Sequence, residues 1–149
     1  FWSTHCRTAF DGLRRLTRCW SMPFPVERRF IEDTERELGV QFPDAFKKKM
    51  MLMNGSEVSV ASEVWQLFPF WDKSDSKRLS RTCNHIGLET KNAKSSLSFP
   101  AEAIAIATNG AGDHLVFIPT FPGSAKLAEN LQVWLHETGK LIPTRSILK

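Results

Sequence analysis

The stretch from residue 37 to residue 55, ELGVQFPDAFKKKMMLMNG, contains residues that typically end one helix and then begin and end a second. Gly39 follows a charged, periodic segment, at the position where helices commonly end in a left-handed residue. Pro43 suits the first position of the next helix, because its missing N–H would have no partner inside that helix. Asn54 and Gly55 supply the second stop. The sequence therefore predicts two amphipathic helices joined by a short corner.

Apolar side chains recur every three or four positions in both helices, which predicts two buried faces. The stripes are Val26, Phe30, Ile31, Thr34 and Leu38 in residues 26–38, and Phe42, Phe46, Met50 and Met53 in the second segment. The methionines would also suit a plastic binding groove, although core packing is the commoner role at this spacing. The outward charges are acidic on the first helix, with Glu32, Asp33, Glu35 and Glu37, and cationic on the second, with Lys47, Lys48 and Lys49.

Short apolar runs separated by turn residues follow. The predicted strands are EVWQLFPFW at 63–71, ending in a bend, AIAIA at 103–107, HLVFI at 114–118, QVWLHE at 132–137, and a resumption at Leu141-Ile142. One connecting helix is predicted across residues 76–92. TNGAGD at 108–113 is predicted to be a hairpin turn, because its two glycines tolerate positive φ. Helices first and an antiparallel meander later predict an α+β fold, with N-terminal helices packed on a sheet.

The 149 residues fit one domain, and their formal charge of +4 is concentrated near the N-terminus. Residues 1–22 contain Arg7, Arg14, Arg15 and Arg18 against a single acid, Asp11. The periodicity of residues 4–20 predicts a helix, so we divide the chain into a basic N-terminal helical extension, 1–22, and an α+β domain, 23–149. The extension is either a solvated face or a basic partner-binding helix. Basicity confined to one segment is a weak signal for nucleic-acid binding.

The three cysteines, Cys6, Cys19 and Cys83, form neither a disulfide framework nor a metal-ligand set, which favours reduced thiols and a cytoplasmic location. No apolar run approaches the ~20 residues that span a bilayer, and no signal-peptide pattern opens the chain. We therefore expect no membrane partner.

Few residues indicate chemistry. The histidines, His5, His85, His114 and His136, show no metal-binding spacing, and no phosphate-binding loop or nucleophile motif is present. We therefore predict no catalytic residues, no cofactor and no metal site. The alternative is a small-molecule or enzymatic site made from His114, His136 and Asp113. Convergence of these three residues in a deep pocket would favour that alternative, and wide separation would remove it.

The order of these segments resembles the SUKH superfamily, which includes bacterial immunity proteins and the yeast cell-wall-synthesis regulator. The resemblance rests on E-x-E-L-G, F-P-D-A-F-K, N-G, W-x-L-F-P-F, F-P-x-x-A-I-A-I-A, G-D-H-L-V-F-I and V-W-L-H-E, and it covers residues 26–139. It implies a strongly curved, mainly antiparallel sheet and a protein that binds another protein without catalysis. Many bacterial members are taken to neutralise secreted polymorphic toxins, often nucleases or deaminases.

Two features depart from the family pattern. Members commonly continue into a further C-terminal helix, for which Leu141 to Lys149 is short, and the basic extension lies outside the shared region. A pI near 9.2 also argues against steering of a highly basic toxin by net charge. The acidic residues Glu32, Asp33, Glu35 and Glu37 could still form a local complementary face.

The resemblance makes an immunity protein that binds a secreted toxin domain the leading functional prediction. The alternatives are a regulatory or adaptor protein of the cell-wall-regulator type and, with less support, a nucleic-acid-associated module based on the arginine helix and Lys47–Lys49. Aromatic side chains often anchor interfaces. The candidate partner-binding residues are Trp65, Phe68, Phe70, Trp71 and Asp113, and core packing is an equal alternative for each aromatic residue.

Overall fold

A computed structural model describes residues 23–148, in which four helices accompany one curled six-stranded sheet. The helices are α1 (Arg28–Leu38), α2 (Asp44–Leu52), α3 (Ser76–Arg81) and α4 (Ile86–Lys94). The strands are β1 (Glu57–Val60), β2 (Glu63–Leu67), β3 (Ile104–Thr108), β4 (His114–Phe117), β5 (Asn130–Trp134) and β6 (Leu141–Ile147). The strands lie side by side in sequence order and all pairs are antiparallel. The predicted α+β fold with an antiparallel meander is confirmed.

The corner between α1 and α2 forms as the sequence predicted. Gly39 ends α1 in the left-handed conformation, with φ +67°, and Pro43 directly precedes α2 instead of occupying its first position. The side chain of Asn54 then ties the end of α2 to the chain after β2. Its Nδ2 donates to the Phe70 carbonyl at 2.9 Å, and its Oδ1 accepts from the Phe70 N–H at 2.8 Å. The Asn-Gly stop is therefore also a tertiary connection.

Strand β3 is buried on both faces, which explains the continuous apolar run from Ile104 to Ala107. Successive side chains on β4 point to opposite faces, so His114 and Phe117 lie on different sides of the sheet. One side carries a cluster of phenylalanine rings, Phe42, Phe46, Phe70 and Phe117, which joins α2 to the sheet. The other side carries Phe68, Phe99, His114 and Trp134.

The prediction of one helix across residues 76–92 is wrong, because the chain breaks between α3 and α4. Thr82 is buried at the break, where its hydroxyl accepts from the Asp72 N–H at 2.9 Å and donates to the Arg78 carbonyl at 2.8 Å. His85 then caps α4, with its Nδ1 accepting from the Leu88 N–H. Local side-chain hydrogen bonds of this kind compete with helix continuation.

Two further elements differ from the sequence prediction. Strand β1 was not predicted, because its turn to β2 uses Ala61 and Ser62 at positive φ where Gly or Asn is usual. Strand β6 runs to Ile147, well beyond Leu141-Ile142, and pairs with β5 where a family-type helix was considered. The basic extension of residues 1–22 lies outside the described residues.

Candidate binding cleft

A cleft of about 410 Å³ lies between the C-terminal half of α4 and the ends of β4 and β5. Its lining comes from three places: α4 and the turn after it, the β3–β4 loop, and the facing strands. The lining residues are Glu89, Asn92, Ala93, Ser96, Gly112, His114, Trp134 and His136. The cleft therefore lies on the side of the sheet that carries His114, away from the phenylalanine cluster.

A buried aromatic group forms the floor of the cleft. The ring of His114 stacks on Trp134 with a centroid distance of 5.7 Å and an interplanar angle of 15°. Phe99 meets both rings edge-on, and the indole N–H of Trp134 donates to the Ser98 carbonyl at 3.3 Å. Because the ring is largely withdrawn from water, burial lowers the pKa of His114, against an opposing effect of the Ala107 carbonyl. His114 is therefore a neutral imidazole at physiological pH.

His136 lines one wall of the cleft, and Asp113 is its hydrogen-bond partner. Asp113 Oδ1 lies 2.7 Å from His136 Nδ1 and also accepts from the His136 backbone N–H at 3.1 Å. Asp113 Oδ2 accepts from the Asn109 amide at 3.2 Å. Burial alone would raise the pKa of Asp113, but these hydrogen bonds stabilise the charged form and the net pKa lies below its usual value. The carboxylate thus fixes the proton of His136 on Nδ1.

Gly112 lets the loop approach this pair closely. Its φ is +103°, and a Cβ placed there would lie 3.1 Å from Cγ and Nδ1 of the His136 ring. The hairpin prediction for residues 108–113 is confirmed, since Thr108 pairs with His114 across the loop. The glycine therefore serves both the turn and the position of His136, and only the first role was visible in the sequence.

An exposed apolar side chain follows α4, next in sequence to a residue that lines the cleft. Leu97 is fully exposed, and it lies between Ser96, which lines the cleft, and Ser98, which holds Trp134. The sequence reasoning missed Leu97, although a lone leucine flanked by serines in a loop was an available signal. Across the cleft the rim is polar, with His136 and Glu137 exposed.

The structure places the predicted partner-binding residues in different surroundings. Trp65, Phe68 and Phe70 are at most 4% exposed, so they pack in the core and offer a partner almost no surface. Trp71 is half-buried, with His85 stacked on its ring at 4.7 Å. Asp113 alone among the five belongs to the cleft, through its hydrogen bonds to His136.

The predicted acidic face of α1 is largely occupied by internal ion pairs. Glu32 pairs with Arg28 at 3.0 Å, and Asp33 pairs with Arg36. Glu35 points inward, where it bonds Lys47 at 2.9 Å and the Phe42 N–H at 2.9 Å. The Lys47 ammonium is consequently neutralised as well, which weakens the predicted cationic patch. Glu37 is exposed and has no ion pair within the described residues.

The three residues of the enzymatic alternative do converge, since His114 and His136 line one cleft and Asp113 binds His136. No hydroxyl or thiol among the described residues is hydrogen-bonded to the His136 ring, so this pair has no nucleophile in hydrogen-bond contact. In the same part of the chain no three metal-ligating side chains come together. None of the helices between residues 23 and 148 has the length and apolar content to cross a bilayer.

The antiparallel meander, its helices and the open cleft define an α+β domain of the SUKH type. The SMI1 / KNR4 family model (SUKH-1) matches residues 25–142, and the chain belongs to that family. The resemblance drawn over residues 26–139 is thereby confirmed. Members of this family are generally non-catalytic. A search of curated proteins returned no match.

Proposed function

We propose that this chain is a non-catalytic protein-binding domain that neutralises a toxin domain, of nuclease or deaminase type, by direct binding. The observation that carries the proposal is an open cleft, with a fully exposed leucine next in sequence to the lining residue Ser96, in a chain of the SMI1/KNR4 family. Interfaces are typically built from an apolar anchor beside polar groups that fix orientation. Leu97 is the apolar anchor in this proposal, and His136 and Asp113 supply the polar wall.

The hydrogen-bonding capacity of the cleft suggests what the partner inserts. The Nδ1 atom of His114 faces the Ala107 carbonyl, and its Nε2 has no hydrogen-bond partner among the described residues. Burial lowers the pKa of His114, so its imidazole is neutral, and with the proton on Nδ1 it presents Nε2 as an acceptor. We therefore expect a donor side chain, such as arginine, lysine or asparagine, from the toxin segment that enters the cleft.

The proposal is tested by co-expressing this protein with toxins encoded beside its gene and by titrating the purified pair in a calorimeter. Leu97→Ser should weaken binding by at least 10-fold, since a buried hot-spot anchor contributes about 2 kcal/mol or more. Leu52→Ser is the matched control, because Leu52 is 73% exposed on α2, and α2 packs through Phe46 on the opposite side of the sheet. Absence of protection and of binding to every neighbouring toxin would refute the immunity role.

The regulatory or adaptor alternative uses the same cleft with a cellular protein as the partner. It is favoured if Leu97→Ser abolishes capture of one defined cellular protein and toxin protection is absent. A small-molecule site is the second alternative, supported by the convergence of His114, His136 and Asp113. For that alternative, His136→Asn should abolish ligand binding, while Leu97→Ser should leave it intact.

A cytoplasmic location is part of the immunity proposal, because a toxin of this type acts on nucleic acid inside the cell. Fractionation of the native protein tests this point.

A further inference from the structure

A second surface, which shares no residue with the cleft lining, has three positively charged side chains around one aromatic ring. Lys77, Arg78 and Arg81 of α3 all lie over the ring of Phe24, at 5.5, 5.0 and 4.8 Å from its centroid respectively. We call these three residues and Phe24 the basic cluster. Lys77 and Arg81 are exposed, and Arg78 retains 34% of its side-chain surface.

The charges of the basic cluster are only partly compensated. Arg78 lies 4.0 Å from carboxylate oxygens of Asp72 and Asp75. Lys77 and Arg81 have no carboxylate within ion-pair distance among the described residues. This differs from α1, where arginine and acidic side chains pair with one another. The basic cluster therefore holds a local excess of positive charge, and an incoming anion would relieve the repulsion between its members.

The aromatic ring also orders the cations before any partner arrives. Cation–π contacts hold long side chains that would otherwise sample many rotamers. Ordering such side chains at an interface ordinarily opposes association, and prior ordering reduces that opposition. A surface with ordered cations therefore binds carboxylates more tightly than an equal number of unordered, solvated lysines and arginines would.

From this arrangement we infer that the basic cluster is a docking site for an acidic segment of a partner protein, separate from the cleft. The occupant is identified by charge complementarity, since the exposed Lys77 and Arg81 have no carboxylate partner among the described residues.

A single-stranded nucleic acid fits less well, because no aromatic face among the described residues of this surface is open for base stacking, its usual contact. Phe24 is covered by the three cations. Trp71 has His85 stacked on one face and Lys73 over the ring at 4.9 Å. Carboxylate side chains need no such platform, so they match the surface better than nucleotides do.

The test uses the full chain and a fluorescent 12-residue peptide of alternating Glu, Asp and Gly, titrated by anisotropy at low and high salt. Its control peptide has Gln and Asn in place of the acids, and a single-stranded DNA of similar length is the competing probe. Lys77→Gln with Arg81→Gln should weaken peptide binding by about 2- to 25-fold, since each exposed ion pair contributes about 1.5- to 5-fold in affinity. High salt should weaken it further.

Arg28→Gln with Arg36→Gln removes the same charge from the internally paired surface of α1 and should leave peptide affinity within about 2-fold. Equal losses in the two double variants would overturn the inference, because net charge alone would then explain binding. No binding of the acidic peptide, or equal binding of the uncharged peptide, would also overturn it. Tighter binding of the DNA than of the peptide would overturn the choice of partner. Circular dichroism melts verify that both double variants are folded.

Discussion

Replacing Asn54 by alanine should destabilise the whole domain, because one side chain satisfies both backbone groups of Phe70. The Phe70 residue is 0% exposed and Asn54 is 7% exposed, so water has little access to replace the lost bonds. Each lost hydrogen bond removes about 0.5–1.5 kcal/mol net, and leaving a buried donor and acceptor unsatisfied adds to the loss. We therefore expect the free energy of unfolding to fall by about 2–4 kcal/mol.

Urea denaturation followed by tryptophan fluorescence measures this change, and a thermal melt gives an independent reading. For a chain of this size, 1 kcal/mol corresponds to about 2–4 °C, so Tm should fall by roughly 5–15 °C. Asn130→Ala is the matched control, because Asn130 is exposed on β5, and surface changes of this kind stay within about 0.5 kcal/mol. A loss below about 1 kcal/mol for Asn54→Ala would refute the reasoning, since the tie to Phe70 would then add nothing to stability.

Three further predictions concern titration and backbone geometry. Burial, with a smaller effect of Lys73, lowers the pKa of His85 from 6.5 to about 4. Between these two pH values the unfolded chain binds more protons than the folded chain. The free energy of unfolding should therefore fall as the pH drops from 6.5 to 4, by at most about 3 kcal/mol. His85→Asn keeps an acceptor for the Leu88 N–H and should show a flatter urea-derived stability profile over this range; parallel profiles would contradict the assignment. Because the pKa of Asp113 is lowered in the folded state, the wild type should be more stable than Asp113→Asn above about pH 3.8, and this advantage should disappear as the pH falls through the folded-state pKa. An advantage that persists at pH 2 would show that the ionised carboxylate is not its source. Gly139→Ala should destabilise the domain more than Gly39→Ala in the same denaturation assay. The two glycines have nearly equal φ, +69° and +67°, so both variants share a backbone strain of about 1 kcal/mol, but only at Gly139 would a Cβ meet the Ser98 side chain, at 2.7 Å. Equal losses would show that the clash with Ser98 is relieved.

The parts of the fold that could be predicted are those encoded locally. Gly39 and Asn54-Gly55 mark helix ends whatever the rest of the chain does, because their conformations depend on neighbouring backbone. The apolar run AIAIA at 103–107 likewise predicted the strand β3, since a short continuous apolar run is a local pattern. By contrast, the break before α4 depends on Thr82 meeting Asp72 ten positions earlier, and no local pattern encodes that contact.

The cleft was predicted only in part, for the same physical reason. Asp113 was identified because it ends a glycine-rich turn, but its partner His136 is 23 positions away in sequence. The aromatic prediction gave undue weight to residue type, since Trp65 and Phe70 are good interface anchors only when exposed. Exposure is a tertiary property, and Leu97 illustrates the opposite case of an ordinary core residue that the turn after α4 leaves in water.

The phenylalanine cluster lies on one side of the sheet and the cleft lies on the other, and residues 37–55 account for this arrangement. Phe42 and Phe46 on that stretch close one side of the sheet around Phe117, and Asn54 locks the connection through Phe70. With that side filled, the other side is covered mainly by α4, whose Thr90 hydroxyl bonds to the backbone of Ala105 in β3. The cleft opens where α4 ends, beside the first residue of β4, His114, and the last residue of β5, Trp134. The phenylalanine cluster and the Asn54 tie therefore lie apart from the cleft, whose lining shares Ala93 and Trp134 with the buried core.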